Sequence, residues 1–305
     1  MNLPKRQIRV TRAVYLLSYR FFFCFLLTLF LSFSWLEANV VFPARGFAKI
    51  LSDKQAESRL HRYRSFVVRD LNSTDFHSGY AFRFRMRHMP RRGEEFSRSG
   101  TIYGLALGHG LSRIDLEPIN SVSKKYLFSN GPKPKVWLST SINSEIVLLE
   151  DQKLFDPFFT GMNQSPFDLL MPFVFWEAKY IKSGRVAGRS SHLYSFIPPQ
   201  WVKEYNTQMK EIVMALDRSY EAPLRIETFS RSSVPSRTFV LNSMKKVDKH
   251  WIVKSLDCKN RDDRSNTRFE VTAAALNLDL DFSLLSPGGL ATNPVVPEDA
   301  FISTK

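Results

Sequence analysis

Cysteine is almost missing from this chain: Cys24 and Cys258 are the only two in 305 residues. Two thiols cannot make a disulfide scaffold or a cysteine-rich zinc module, so folding must rest on packing. No Gly-x-Ser-x-Gly and no glycine-rich phosphate loop occurs, which removes the sequence signals of the commonest hydrolase elbow and of P-loop chemistry. The six histidines (His61, His77, His88, His109, His192 and His250) form no helical metal-ligand pair and have no cysteine beside them, so no metal and no cofactor is expected. Long apolar runs are missing too. The longest, residues 21–35, is shorter than the roughly 20 residues that span hydrocarbon. With 44% hydrophobic and 24% charged residues, the composition is that of a globular protein, which excludes wholesale disorder and a polytopic membrane protein.

Two excesses remain: 26 phenylalanines and a formal charge of +14. Part of both belongs to the N-terminus. Lys5, Arg6, Arg9, Arg12 and Arg20 precede the apolar run, no acid appears before Glu37, and Ala38 supplies a small residue after it. That order is the signature of a secretory signal peptide over residues 1–38. The segment is either removed after Ala38 or kept as an inner-membrane anchor. Cys24 follows three phenylalanines and makes a poor lipid-attachment site. Removal would leave Cys258 alone, 38 basic residues against 28 acids, and 20 of the phenylalanines.

Beyond it, Phe47, Ile50, Leu51, Leu60 and Tyr63 predict an amphipathic helix over residues 47–66. From Tyr80 the period changes to two. Tyr80, Phe82, Phe84 and Met86 alternate with Ala81, Arg83, Arg85 and Arg87, the pattern of a half-buried strand with one apolar and one basic face. Similar short runs follow at 101–107, 111–116, 124–129, 136–138, 180–186, 192–197, 212–217, 224–229, 237–247 and 251–257, punctuated by Gly108-His109-Gly110, Asn130-Gly131 and Ala187-Gly188. Residues 267–276 start extended, and Ala273 to Leu276 is open to a helical ending. Residues 165–176 differ. Ser165, Pro166 and Asp168 are helix-start residues, and Phe167, Leu170, Met171, Phe173, Val174 and Trp176 leave almost no polar face, so this piece must be enclosed, with Pro172 kinking or dividing it. The Pro/Gly-rich residues 286–305 predict a flexible tail. The fold class expected is mainly β (α+β), a single domain over residues 39–285 with about ten to eleven strands.

Residues 80–92 (YAFRFRMRHMPRR, with Gly100-Thr101 after them), 165–176 (SPFDLLMPFVFW) and above all 239–272 (FVLNSMKKVDKHWIVKSLDCKNRDDRSNTRFEVT) resemble the outer-membrane lipoprotein-sorting proteins of Gram-negative bacteria, relatives of the LolA and LolB lipoprotein carriers. The resemblance spans roughly residues 60–285. It implies an open, strongly bent antiparallel half-barrel whose concave side is closed by short helices. It also implies an apolar cavity for the acyl chains of lipoproteins or other lipids, a periplasmic location, partner proteins at the inner and outer membranes, and no catalysis.

In that reading Tyr80, Phe82, Phe84 and Met86 line a cavity, because acyl chains need apolar surface without directional hydrogen bonds. Phe167, Leu170, Met171, Phe173, Val174 and Trp176 form its lid or plug. Both sets also suit plain core packing. Arg83, Arg85, Arg87, Arg91 and Arg92 form a basic stripe suited to head groups or an acidic partner, and equally to a solvated sheet face. Lys245, Lys246, Lys249 and Lys254 bracket the late hairpin as surface lysines that discourage strand pairing between chains. The alternating charges of Arg261, Asp262, Asp263, Arg264 and Arg268 read as local ion pairs, and Asp115 with Glu117 as strand-face carboxylates. Nucleic acid is not an expected partner. A lipid-sensing interaction module is the alternative to a carrier.

Overall fold

The computed structural model describes residues 48–72, 78–141 and 145–305, within one compact unit, 45–305. The proposed signal segment lies outside the described residues. The described residues form four helices, five 3-10 turns and fourteen strands: α1 (Asp53–Val67), α2 (Arg69–Asn72), β1 (Gly79–Met89), β2 (Phe96–Leu105), β3 (Leu111–Ile119), β4 (Val122–Ser129), β5 (Lys135–Thr140), β6 (Ile146–Leu148), α3 (Pro166–Leu170), β7 (Ala178–Val186), β8 (Arg189–Phe196), α4 (Gln200–Tyr205), β9 (Glu211–Asp217), β10 (Pro223–Phe229), β11 (Arg237–Val247), β12 (His250–Asn260), β13 (Asn266–Leu278) and β14 (Ile302–Ser303).

Every described strand pairing is antiparallel. The order β6-β5-β4-β3-β2-β1-β13-β12-β11-β10-β9-β8-β7 leaves β6 and β7 as the two edges, so the sheet is an open, bent half-barrel. Sequence neighbours pair throughout except at its middle, where β1 meets β13. The register there places Phe84 beside Val271 and Met86 beside Phe269, both on the inner face. On the other side, Tyr80 and Phe84 face Gly104 and Gly100. A Cβ at either glycine would lie within 2.8 Å of an atom of the facing ring, so the missing side chains are what let the rings lie across β2.

The inner face buries one continuous apolar cluster. Strand residues Phe84, Met86, Tyr126, Phe128, Tyr194 and Phe196 meet Ala56, Leu60, Tyr63 and Val67 of α1. That helix starts later than the periodicity suggests. Ser52 and Gln55 form a reciprocal capping box, which fixes the first turn at Asp53 and leaves Ile50 outside and exposed. Residues 273–276 stay extended because Ala274 and Ala275 pair with Phe82 and Ala81; tertiary pairing overrides the helical preference of alanine.

Residues 286–305, expected as a flexible tail, instead form a strap on the outer face. Leu285 and Leu290 pack on Leu105 and Leu127. The fully buried Arg113 holds Asp115 in a two-pronged pair (2.7 and 2.8 Å) and donates to the carbonyls of Gly289 (2.8 Å) and Thr292 (2.6 Å). Glu298 and Phe301 engage Arg83, by an ion pair and by ring stacking. β14 then pairs with β13 at Ala273 and Ala274, beyond the point where the β12 pairing stops.

Candidate functional site

The connection from β6 to β7, residues 149–177, joins the two edges of the sheet and packs on the inner face between them. Ser165 and Asp168 cap α3 reciprocally, and Pro166 occupies its first position. The helix stops after five residues, because Met171 takes a left-handed conformation (φ 49°) ahead of Pro172. A 3-10 turn at Pro172–Phe175 follows. The enclosed apolar piece is thus two short turns divided at the proline.

Its side chains join the apolar interior. Phe167, Leu170, Phe173, Val174 and Trp176 are buried in the inner cluster with Phe84 and Met86, while Phe82 and Met171 pack at the cluster's margin. Tyr80 is buried beside them, its ring 4.7 Å from Phe82 and its hydroxyl donating to the Gly108 carbonyl. Aromatic contacts continue from Phe167 to Trp176 and from Phe173 to Phe196. Phe155, Phe158, Phe159, Met162 and Trp201 belong to the same interior and were not anticipated. Their signal was present, since the FDPFF run at 155–159 places apolar side chains at spacings of three and four before the enclosed helix.

The apolar plug is tied down by a few polar anchors. From α1, Arg64 donates to the carbonyls of Val174 (2.6 Å) and Trp176 (2.7 Å). From the β4–β5 turn, Asn130 donates to the carbonyl of Leu170 (2.7 Å), and the Trp176 indole donates to that of Pro132 (3.3 Å). From β11, Arg237 donates to the Asp168 carboxylate (2.6 Å) and to the Asn163 carbonyl. Asn163 and Gln164 reach Cys258, Ser265 and Thr267 of the sheet, and His88 contacts the Thr267 hydroxyl (2.8 Å). Burial alone would lower the Arg237 guanidinium; the Asp168 charge outweighs it and holds the group above its ordinary value. Burial pushes the Cys258 thiol up to about 12, which makes it an unreactive packing residue.

The basic stripe is split by its partners. Arg83 is taken by Glu298 and Phe301 of the strap. Arg85 pairs with Glu270 at 3.3 Å and Arg87 lies 4.0 Å from Glu95, while Arg91 and Arg92 are exposed beyond the strand end. Asp115 is committed to Arg113, which removes it from any pairing with Glu117. Among the described residues no group of three or more His, Cys, Asp or Glu is placed to hold a metal ion, and no helix is long and apolar enough to cross a membrane.

This architecture, an open antiparallel half-barrel with its concave side occupied by helical turns, shares its fold with several solved structures, a LolA superfamily protein among them. An outer membrane lipoprotein-sorting protein domain from Vibrio parahaemolyticus is similar over 78% of this chain and all of that one, with a TM-score of 0.61 and 15% identity. A DUF1329 family protein from Desulfovibrio piger gives 0.58 and 15%, over 76% of this chain and 99% of that one. A LolA superfamily protein from Nitrosomonas europaea gives 0.56 and 11%, over 76% and 97%. At these identities the shared property is the fold. No protein-family model matches the sequence, and no curated protein does.

Proposed function

We propose that this protein is a periplasmic lipid-binding protein that holds acyl chains against the concave face of its half-barrel, carrying or sorting lipoproteins toward the outer membrane. The observation that carries the reading is the plug. It fills the concave face with Phe, Leu, Val and Trp side chains, yet residues 165–176 are tied to α1, the β4–β5 turn and β11 through side-chain hydrogen bonds and one ion pair instead of ladder pairing. Such a segment can leave without unzipping a strand. The energies permit the exchange. Exposing five buried side chains costs roughly 8–15 kcal/mol, and a guest chain of about 14 carbons, at about 0.8 kcal/mol per CH2, returns roughly 11 kcal/mol. The fold shared with a lipoprotein-sorting domain and a LolA superfamily protein supports the same reading.

The test is uptake of a fluorescent fatty acid by the purified protein, compared with a Phe173→Asp variant that places a charge in the plug. Saturable uptake that lipid extracts compete away supports a container. No uptake by a folded wild-type protein contradicts it. A second reading, a lipid-sensing interaction module, is favoured by how densely aromatic side chains already fill the concave face. It expects a specific protein partner and weak lipid retention.

A further inference from the structure

The outer face of the half-barrel carries a cavity of its own, about 310 Å³ in volume, opposite the plug. The strand register builds it. Across β2, β1, β13, β12 and β11 runs the row Ser99, Arg85, Glu270, Ser255, Ser243. Beside it runs Ser97, Arg87, Arg268, Asp257. Small serines set the floor, with Ser243 and Ser255 bonded to each other at 2.7 Å, and long charged side chains form the walls. Arg85, Arg87, Arg268 and Lys254 line the cavity against one carboxylate, Glu270. Asp257 holds Arg268 in a two-pronged pair (2.7 and 2.9 Å), which fixes that guanidinium at the rim. Lys254 falls where the β11–β12 register slips, between the pairs Ser243–Ser255 and Met244–Val253.

An exposed apolar strip adjoins this cationic cavity. Trp251 is 60% exposed, and Val253 and Met244, paired across the hairpin, are 37% and 36% exposed. Trp251 and Val253 flank Ile252, which is buried in the inner cluster, so by alternation their side chains point away from that cluster. Lys246 is the cross-strand partner of Trp251. Solvent-exposed tryptophan beside lysine and a cationic cavity is the composition of a surface that sits at a lipid–water boundary, where an indole places its ring among head groups and basic side chains meet phosphate.

We propose that the end of the outer face formed by the β11–β12 hairpin and its adjoining cavity docks on an anionic phospholipid surface, the cavity receiving a head-group phosphate and Trp251, Val253 and Met244 entering the interface. This site faces away from the concave interior, so it stands or falls separately from acyl-chain uptake.

The experiment is sedimentation of the full chain with vesicles of phosphatidylglycerol and phosphatidylcholine, and with vesicles of phosphatidylcholine alone. Each cation near an anionic leaflet strengthens binding roughly fivefold. Reversing two cavity charges (Arg87→Glu with Lys254→Glu) should therefore weaken binding to the anionic vesicles at least tenfold. Trp251→Ser, at an exposed position, should weaken it about tenfold. Arg91→Glu with Arg92→Glu makes the same change in net charge outside the cavity and should stay within about threefold. Three results would each overturn the proposal: no binding of wild type to anionic vesicles, equal loss in the Arg91/Arg92 control, or unchanged binding of Trp251→Ser. Circular dichroism on each variant separates lost docking from lost fold.

Discussion

The two faces of β1 show how one strand serves two environments. Phe84 points inward, stacked 5.1 Å from Phe269, in a cluster that reaches α1 and the plug. Arg85, the next residue, points outward, half-exposed, with Glu270 at 3.3 Å. The inner face gains stability from area removed from water, which is non-directional and allows one apolar occupant to replace another. The outer face depends on directional pairs. Where these are buried, as in the Arg113–Asp115 clamp on the strap, they fix a geometry; where they are exposed they contribute little and stay free for partners. That division suits the container proposed above, with exchangeable contents and a fixed outer wall.

The contrast can be broken most strongly on the inner face. Phe84→Ala should cost about 3–5 kcal/mol, seen as a fall in Tm of about 10 °C by calorimetry. Arg237→Ala should cost about 3 kcal/mol, because it leaves the Asp168 carboxylate buried without its cation and frees the plug at one anchor. Faster proteolysis within 149–177 should accompany that loss, with the strap unaffected.

A pH titration probes the inner face at His192. This side chain is 2% exposed, and Ser183 lies 2.9 Å from its Nδ1. Burial, with Arg59 and Arg218 nearby and only Asp217 opposing, lowers it to about 4. The folded protein therefore keeps His192 neutral while the unfolded chain binds a proton near 6.5. The stability contribution is complete above about 6.5, falls as pH drops, and is gone near 4, a change of about 3 kcal/mol at most. Urea unfolding at several pH values should show the decline, and His192→Gln should flatten it. The smallest effect belongs to the outer face. Arg85→Ala should change stability by less than about 1 kcal/mol, within the scatter of a denaturation curve, although it sits next to Phe84.

What the sequence shows and what it hides follow the same division. The alternation from Tyr80 to Met86 marks a two-faced strand without ambiguity, and β11 spans the residues expected of it. The plug is legible as well, since Ser165, Pro166 and Pro172 fix its start and its break locally. The strap is not, because its order comes from distant partners, Arg113, Leu105 and Leu127, and its own residues have no periodicity. The short strands β6 and β14 are hidden for the same reason: two or three residues carry no period, and only a neighbouring edge makes them strands. Ala273 to Leu276 misleads because alanine prefers helix, whereas pairing with β1 holds Ala273, Ala274 and Ala275 extended. The outer cavity depends on which residues of five strands become neighbours, and a strand read alone does not contain that.

Organic-solvent extraction of the purified protein, followed by mass spectrometry, tests the central claim most directly. A container for acyl chains should yield lipid in amounts comparable with the protein, and Phe173→Asp should yield much less. A folded wild-type protein that releases no lipid, and takes up no fluorescent fatty acid afterwards, would contradict the account.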